Sequence, residues 1–433
     1  MKKQDETDSA TPRAVSRRRM LQRLGLAAGI AYAAPVLTGL GAGHASSLKF
    51  TSFSSLRRAP RRRSRQPAPR PEIVVTAPDP ATIDLIAGQG YALLSRDRLE
   101  LVGADIARFS LPANRTLDEA RAEILQLAPA ALVDPNHVYR PGELACDAEG
   151  CVAFDMIGWS PAPLSCPAGA TLGMIDTGVN TDHEALSGIE VEHFAVAGPE
   201  RRPSGRTHGT AIAVLIAGRA DSRTPGLLPG ARLVAVDAFH ADAAGQDAAD
   251  AFDIARALDR LAASAARVVN LSFAGPANLV LERVVRAMLG RDMVLVAAAG
   301  NAGPNADPLF PAAYEGVVAV TAVDRRLRPH RQAAAGGHID FAAPGVRLWT
   351  AASVRGGRFR SGTSYAAPFV SAALAALRAA DPSLAGAQAV ERLATDAADL
   401  GPAGRDGTFG WGLVQAPEAC AAPSGRILPA GEG

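Results

Sequence analysis

Arg360-Ser361-Gly362-Thr363-Ser364-Tyr365-Ala366-Ala367-Pro368 carries a serine out of a Gly-Thr turn and into an apolar run that continues to Leu377. The run reads as a buried helix over 364–380, with Pro368 in its first turn, where a missing N–H costs nothing. The Ser364 hydroxyl then sits at a helix N-terminus, among unpaired N–H groups and the positive end of the helix dipole. A nucleophile for acyl transfer needs such a place, because an oxyanion develops beside it. A Gly-Thr-Ser step before a helix is also an ordinary N-cap, so the serine needs partners elsewhere in the chain.

Two upstream stretches supply them. Thr171–Val179 reads as a buried strand ending in Asp176-Thr177-Gly178, which puts a carboxylate at a strand's C-terminal end. His208, in Thr207-His208-Gly209-Thr210, opens the apolar helix predicted over 208–218. A serine becomes a nucleophile when an imidazole takes its proton and a carboxylate orients that imidazole. Taken singly, Asp-Thr-Gly could be an aspartic-peptidase loop and His208 a core histidine. In the chain order Asp, His, Ser, each in its own motif, they resemble the subtilisin-like serine protease family. A fourth motif agrees: the apolar strand Met293–Ala299 runs into Gly300-Asn301-Ala302-Gly303.

The resemblance covers 142 to the C-terminus and implies a serine endopeptidase. Ser364 is then the nucleophile, His208 the base and Asp176 its orienting group, with Asn301 and the Ser364 N–H as oxyanion donors. The substrate is a protein or peptide added as a strand against Ser272-Phe273-Ala274-Gly275, with Gly245-Gln246-Asp247 on its other side. The pocket for the residue before the scissile bond is expected between that strand and Ala299-Gly300. Ala274 and Leu309 stand where relatives usually have glycine, so the pocket should be shallow and prefer small side chains. Many relatives hold a strong calcium ion; here Ala185 replaces a ligating aspartate and Ala220–Pro229 matches poorly, so no metal or other cofactor is expected. A scaffold retained only for binding and an envelope-anchored interaction protein are the competing functions. The first would not keep all four catalytic positions.

Strands at 171–176, 232–237, 267–273, 292–298 and 316–322 alternate with helices at 208–218, 248–265, 277–289 and 364–380. This pattern predicts an α/β fold, a subtilisin-like parallel sheet with helices on both faces. Ahead of it, strand 72–77, helix 80–88, strands 91–101 and 104–112, helix 117–128 and strand 131–139 give a βαββαβ order. That order suits a small ferredoxin-like domain. Its place before the catalytic block resembles the family's prodomain, which assists folding and then blocks the active site. The enzyme's own prodomain is therefore an expected partner, with self-cleavage expected within His137–Cys146.

The 433 residues carry a net charge of +2, unevenly spread: about +12 over 1–70, −4 over 71–141 and −6 over 142–433. The basic character belongs to an N-terminal arm, so the body is no nucleic-acid binder. Residues 1–45 read as an export signal. Ser16-Arg17-Arg18-Arg19-Met20-Leu21 resembles the twin-arginine pattern, the apolar stretch Leu24–Leu40 follows, and Gly43-His44-Ala45 offers a cleavage point. A periplasmic or secreted location follows, with no stable membrane span once the signal is removed. Residues 46–71, rich in Arg and Pro and free of acids, read as a disordered linker. The remaining divisions are a prodomain at 72–141 and a catalytic domain at 142–433. Four cysteines, at 146, 151, 166 and 420, should pair in an oxidising compartment. Three connectivities are open, and Cys146–Cys151 with Cys166–Cys420 is favoured because the second bridge ties the block's start to its end.

Overall fold

A computed structural model describes residues 71–141, 144–145, 153–160, 166 and 169–421. The export signal, nearly all of the Arg/Pro-rich linker, and Cys146 and Cys151 lie outside the described residues. Strand β1 (Glu72–Ala77), helix α1 (Pro80–Gly88), β2 (Ala92–Leu99), β3 (Ala104–Ser110), α2 (Leu117–Leu127) and β4 (Leu132–Pro135) make the first layer. Asp79 caps α1 and Thr116 closes a capping box with Glu119 on α2, so both helices start where their side chains satisfy free N–H groups. The strand order β2-β3-β1-β4 is antiparallel wherever pairing is recorded, the ferredoxin-like arrangement expected from the element order.

The predicted strand over 131–139 divides in two. Asn136 and His137 interrupt it, and β5 (Val138–Pro141) leaves the first sheet for another. Leu144–Ala145 forms a short β6.

The larger layer is a seven-stranded parallel sheet in the order β17-β16-β15-β13-β7-β10-β8. Its strands are β7 (Thr171–Asp176), β8 (Val191–Ala195), β10 (Arg232–Asp237), β13 (Val268–Leu271), β15 (Val294–Ala298), β16 (Val318–Val323) and β17 (Phe341–Pro344). Two-residue β9 (Arg202–Pro203) lies outside it, as do β11 (Phe239–Ala241), β12 (Asp247–Asp250) and β14 (Phe273–Ala274). The hairpin β18 (Leu348–Ala351) and β19 (Gly357–Ser361) also stands apart. Side chains alternate across the parallel sheet, as strand geometry requires. Leu172, Met174, Val294 and Val296 join one core with α3 (Thr207–Ala217) and α6 (Thr363–Ala380). Ile175, Leu271, Leu295 and Ala297 join the other with α4 (Ala251–Ala262) and α5 (Leu279–Leu289).

That second core also takes in Val74, Leu99 and Ile106 of the first sheet. The first sheet and the segment that follows it thus pack on α4 and α5 and accept N–H groups at the starts of both helices. Asp134 Oδ2 accepts the Leu279 N–H at 2.8 Å, Asn136 Oδ1 accepts the Phe252 N–H at 3.2 Å, and His137 O accepts the Ala251 N–H at 3.0 Å. Arg108 of β3, 4% exposed, donates to Asp250 at 3.2 Å and Glu200 at 3.0 Å. The helix predicted from 248 starts at Ala251 because Asp247–Asp250 pairs as a strand and Asp250 caps the helix, accepting the Asp253 N–H. The sequence reading also missed β8, β17 and a last helix, α7 (Gly386–Asp396). Among the described residues no helix is long and apolar enough to cross a membrane.

Candidate active site

Asp176 closes β7 and His208 lies in the first turn of α3, both 1% exposed. His208 Nδ1 lies 2.6 Å from Asp176 Oδ1; a carboxylate only accepts, so Nδ1 carries the proton and Nε2 is the ring nitrogen left able to accept one. The turn after Asp176 is fixed to α3, for Thr177 Oγ1 accepts the Gly209 N–H at 2.9 Å and Thr210 Oγ1 accepts the Asn180 N–H at 2.8 Å. Neither threonine was singled out from the sequence. The Tyr365 ring lies against His208, with centroids 5.3 Å apart.

Ser364 is the second residue of α6 and is 1% exposed. The helix starts at Thr363, so Pro368 falls in its second turn rather than its first. Its missing N–H would have bonded the Ser364 carbonyl, four residues back. The Ser272 hydroxyl takes that carbonyl instead, at 2.8 Å. Ser272 Oγ in turn accepts from Asn270 Nδ2 at 2.8 Å, and Asn270 Oδ1 accepts from the Ser371 hydroxyl at 3.0 Å. All of this chain is buried. Ser272, expected only on the substrate strand, thus also braces the serine's helix.

Asn301 follows β15. Its Oδ1 accepts the Thr363 N–H at 3.1 Å and the Thr363 hydroxyl at 3.4 Å, while Thr363 Oγ1 accepts the Gly300 N–H at 3.1 Å. With the oxygen held this way, the amide's N–H₂ is the end left to donate. Thr363, beside the serine in sequence, orients the asparagine. Nothing in the sequence alone marked it for that task.

Three of the residues expected at the pocket, Ala274, Gly300 and Leu309, lie beside one another. Leu309 is half-buried, and a β-carbon placed on Gly300 would lie 2.5 Å from Leu309 Cδ1 and 3.5 Å from the Ala274 Cβ. Leu309 and Ala274 therefore both border Gly300. Gly275 and Phe310, next to them in sequence, exchange backbone hydrogen bonds of 2.8 Å.

Strand β5 lies between β14 and β12, antiparallel to both, with Pro141 opposite Phe273, Arg140 opposite Ala274, and Tyr139 opposite Ala249. Gly245 and Gln246, expected to line that second side, stand in the turn before β12, whose residues 249–250 make the contact. Tyr139 is fully buried against Phe273, edge to face at 5.9 Å, and its hydroxyl donates to Pro276 O at 2.9 Å. A side chain on Gly275 would strike the Tyr139 ring at 2.4 Å. β6 pairs antiparallel with β19, the strand that leads into Gly362 and the serine's helix, with Leu144 opposite Ser361 and Ala145 opposite Arg360.

Cys166 and Cys420 are bridged, as favoured from the sequence. Among the described residues no three His, Cys, Asp or Glu side chains converge as a metal site requires.

A strand-end carboxylate, a helix-borne imidazole and a serine opening a buried helix define a class of fold that known proteins share. The model of the subtilase family matches residues 168–412, more than half of the chain, and the chain belongs to that family. It is 30% identical over 241 residues to subtilisin DY of Bacillus licheniformis, covering 54% of this chain and 85% of that protein. It is also 30% identical over 246 residues to the minor extracellular protease Epr of Bacillus subtilis, covering 56% of this chain but 37% of Epr. Among solved structures, fervidolysin from Fervidobacterium pennivorans, a keratinolytic enzyme related to subtilisin, superposes with a TM-score of 0.70. Its identity is 21%, over 83% of this chain and 61% of fervidolysin.

Proposed function

We propose that the chain is an exported serine endopeptidase made as a self-processing precursor, with Ser364, His208 and Asp176 as its triad and Asn301 with the Ser364 N–H as its oxyanion donors. One observation carries the self-processing: the chain's own segment is paired as a strand at two places next to the serine. β5 lies on β12 and on β14, which follows Ser272 at the Ser364 carbonyl, and β6 lies on β19, which ends at Ser361. Only Gly142 and Glu143 separate the two strands in sequence. We place the scissile bond between them, inside the window expected from the sequence. Residues 72–142 then act as folding aid and inhibitor, and Glu143 begins the mature enzyme. Export rests on the twin-arginine pattern in 1–45, followed by the 46–71 linker, and is supported by Epr being named extracellular. N-terminal sequencing of the matured protein tests the assignment. Any start other than Glu143 in freshly matured enzyme contradicts it.

The two pockets give the substrate class. Gly142 would be the residue before the cut, which suits a pocket filled by Leu309 and narrowed by Ala274. Peptides with Gly or Ala there should be preferred. Leu309→Gly should raise kcat/KM for a Phe peptide about tenfold or more, since overpacking a defined cavity costs about 1–3 kcal/mol. If wild type already favours Phe over Ala, or the variant gains nothing, the shallow pocket is wrong.

Three residues earlier, Tyr139 fills an aromatic pocket, so good substrates should carry Tyr or Phe at that position. Tyr139→Ala should slow appearance of the mature form about tenfold or more, because binding energy remote from the cut is used to position it. Time courses of wild-type and variant precursor, read on denaturing gels, check this; equal rates would exclude a role for the pocket.

A further inference from the structure

Asp237 is the last residue of β10 and the register partner of Asp176 on the neighbouring parallel strand. Paired residues of parallel strands face the same side of a sheet, so the two carboxyls end their strands side by side. Asp237 is 8% exposed, and both its oxygens are engaged. Oδ1 accepts the Phe239 N–H at 2.9 Å and Oδ2 accepts the Ser204 hydroxyl at 2.8 Å. Ser204 Oγ accepts the Gly178 N–H at 2.8 Å. One hydroxyl thus links Asp237 to the turn that follows Asp176, from the segment that leads into α3 and His208.

The charged groups around this carboxyl come from four elements. Asp176 of β7 carries His208 on its other side. Asp247 of β12 accepts the Gly205 N–H at 2.6 Å, next to Ser204. Arg206 brings its Cγ, and Asp237 its Oδ2, each to 3.3 Å from where a β-carbon on Gly178 would lie. His193 of β8 accepts the Val179 N–H through Nε2 at 3.4 Å.

We infer that Asp237 is a positioning residue for the Asp176–His208 pair, holding its turn through Ser204 and setting the charge around the imidazole. Burial pushes the Asp237 carboxyl up; the Phe239 N–H and the Ser204 hydroxyl oppose this, Asp176 and Asp247 add to it, and the result is about 7. Asp237 therefore loses its proton in the pH range where an imidazole becomes neutral. Each proton lost from Asp237 adds a negative charge that favours the imidazolium, which spreads the rise of activity over a wider pH range.

This inference rests on the peptidase reading, so its test has a readout that needs no turnover. Asp237→Asn keeps the shape and one oxygen for Phe239 but cannot ionise. In enzyme prepared from the full chain, its acid limb of kcat/KM should be steeper and lie about half a pH unit or more lower than wild type. The His208 imidazole titration, followed by NMR in a Ser364→Ala background, should move the same way. Ser204→Ala keeps the charge but cuts the link, and should lower kcat about tenfold with KM nearly constant. An Asn variant with a lower melting temperature but an unmoved imidazole titration would make Asp237 structural only and overturn the inference. Should that variant fail to fold, unchanged kcat in Ser204→Ala overturns it equally. A wild-type enzyme that cleaves no peptide would instead refute the peptidase reading, leaving the NMR titration to decide this one.

Discussion

Ser364→Ala is expected to yield a precursor that never separates into two chains, with peptide hydrolysis down about 10⁶-fold, the loss known when a bacterial subtilisin is deprived of its nucleophile. The change removes one oxygen from a residue whose surroundings stay occupied. Ser272 still holds the residue's carbonyl, and Thr363 still orients Asn301. The fold should therefore persist, and β5 and β6 should stay seated on β14, β12 and β19. Intact-mass analysis of the purified variant, with no other protease present, is the measurement. Mature-sized protein in that preparation would show that another enzyme makes the cut. An unprocessed variant that becomes mature when wild-type enzyme is added would show that the bond is accessible from outside as well.

Asn301→Ala should lower kcat about 10²–10³-fold with little change in KM, a size taken from the equivalent donor of a bacterial subtilisin. The physical reason is the timing of the bond. In the proposed role, the amide N–H₂ aimed by Thr363 would meet an oxygen that carries full negative charge only once the tetrahedral intermediate forms, so its loss would raise the barrier and spare ground-state binding. Maturation should still occur, more slowly. Steady-state kinetics on one peptide, with processing followed in parallel, separates the outcomes. A large rise in KM at constant kcat would make Asn301 a substrate-binding group rather than an oxyanion donor.

Much of this site was legible in the sequence because its parts lie at element ends that announce themselves. Asp176 ends an apolar strand and Asn301 follows one closely, and His208 and Ser364 each lie in the first turn of an apolar helix. Apolar runs of fixed length are strong signals. What stayed hidden depends on pairing between distant segments. β8 exposes part of its surface and lacks a continuous apolar run, and β17 is only four residues long. Nothing local divides 131–139 between two sheets, because both halves have strand character and only the N-termini of α4 and α5 draw Asn136 and His137 out of line. Thr363 was in view beside Ser364, and Ser272 on the expected substrate strand. Their hydroxyls acquire tasks only once Asn301 and a helix carbonyl freed by Pro368 arrive from elsewhere in the chain.

The break between β4 and β5 bears on how such an enzyme would be switched on. Under the proposed cut after Gly142, β5 would stay joined to the first sheet through Asn136 and His137, while its covalent tie to the catalytic block would be lost. Before the cut, that tie would let the strand compete with any outside peptide at an effective concentration of order millimolar. After it, the same contacts would hold two separate molecules, and their occupancy would depend on how many of each are present per unit volume. Dilution after export would then act as the trigger, with no further signal required.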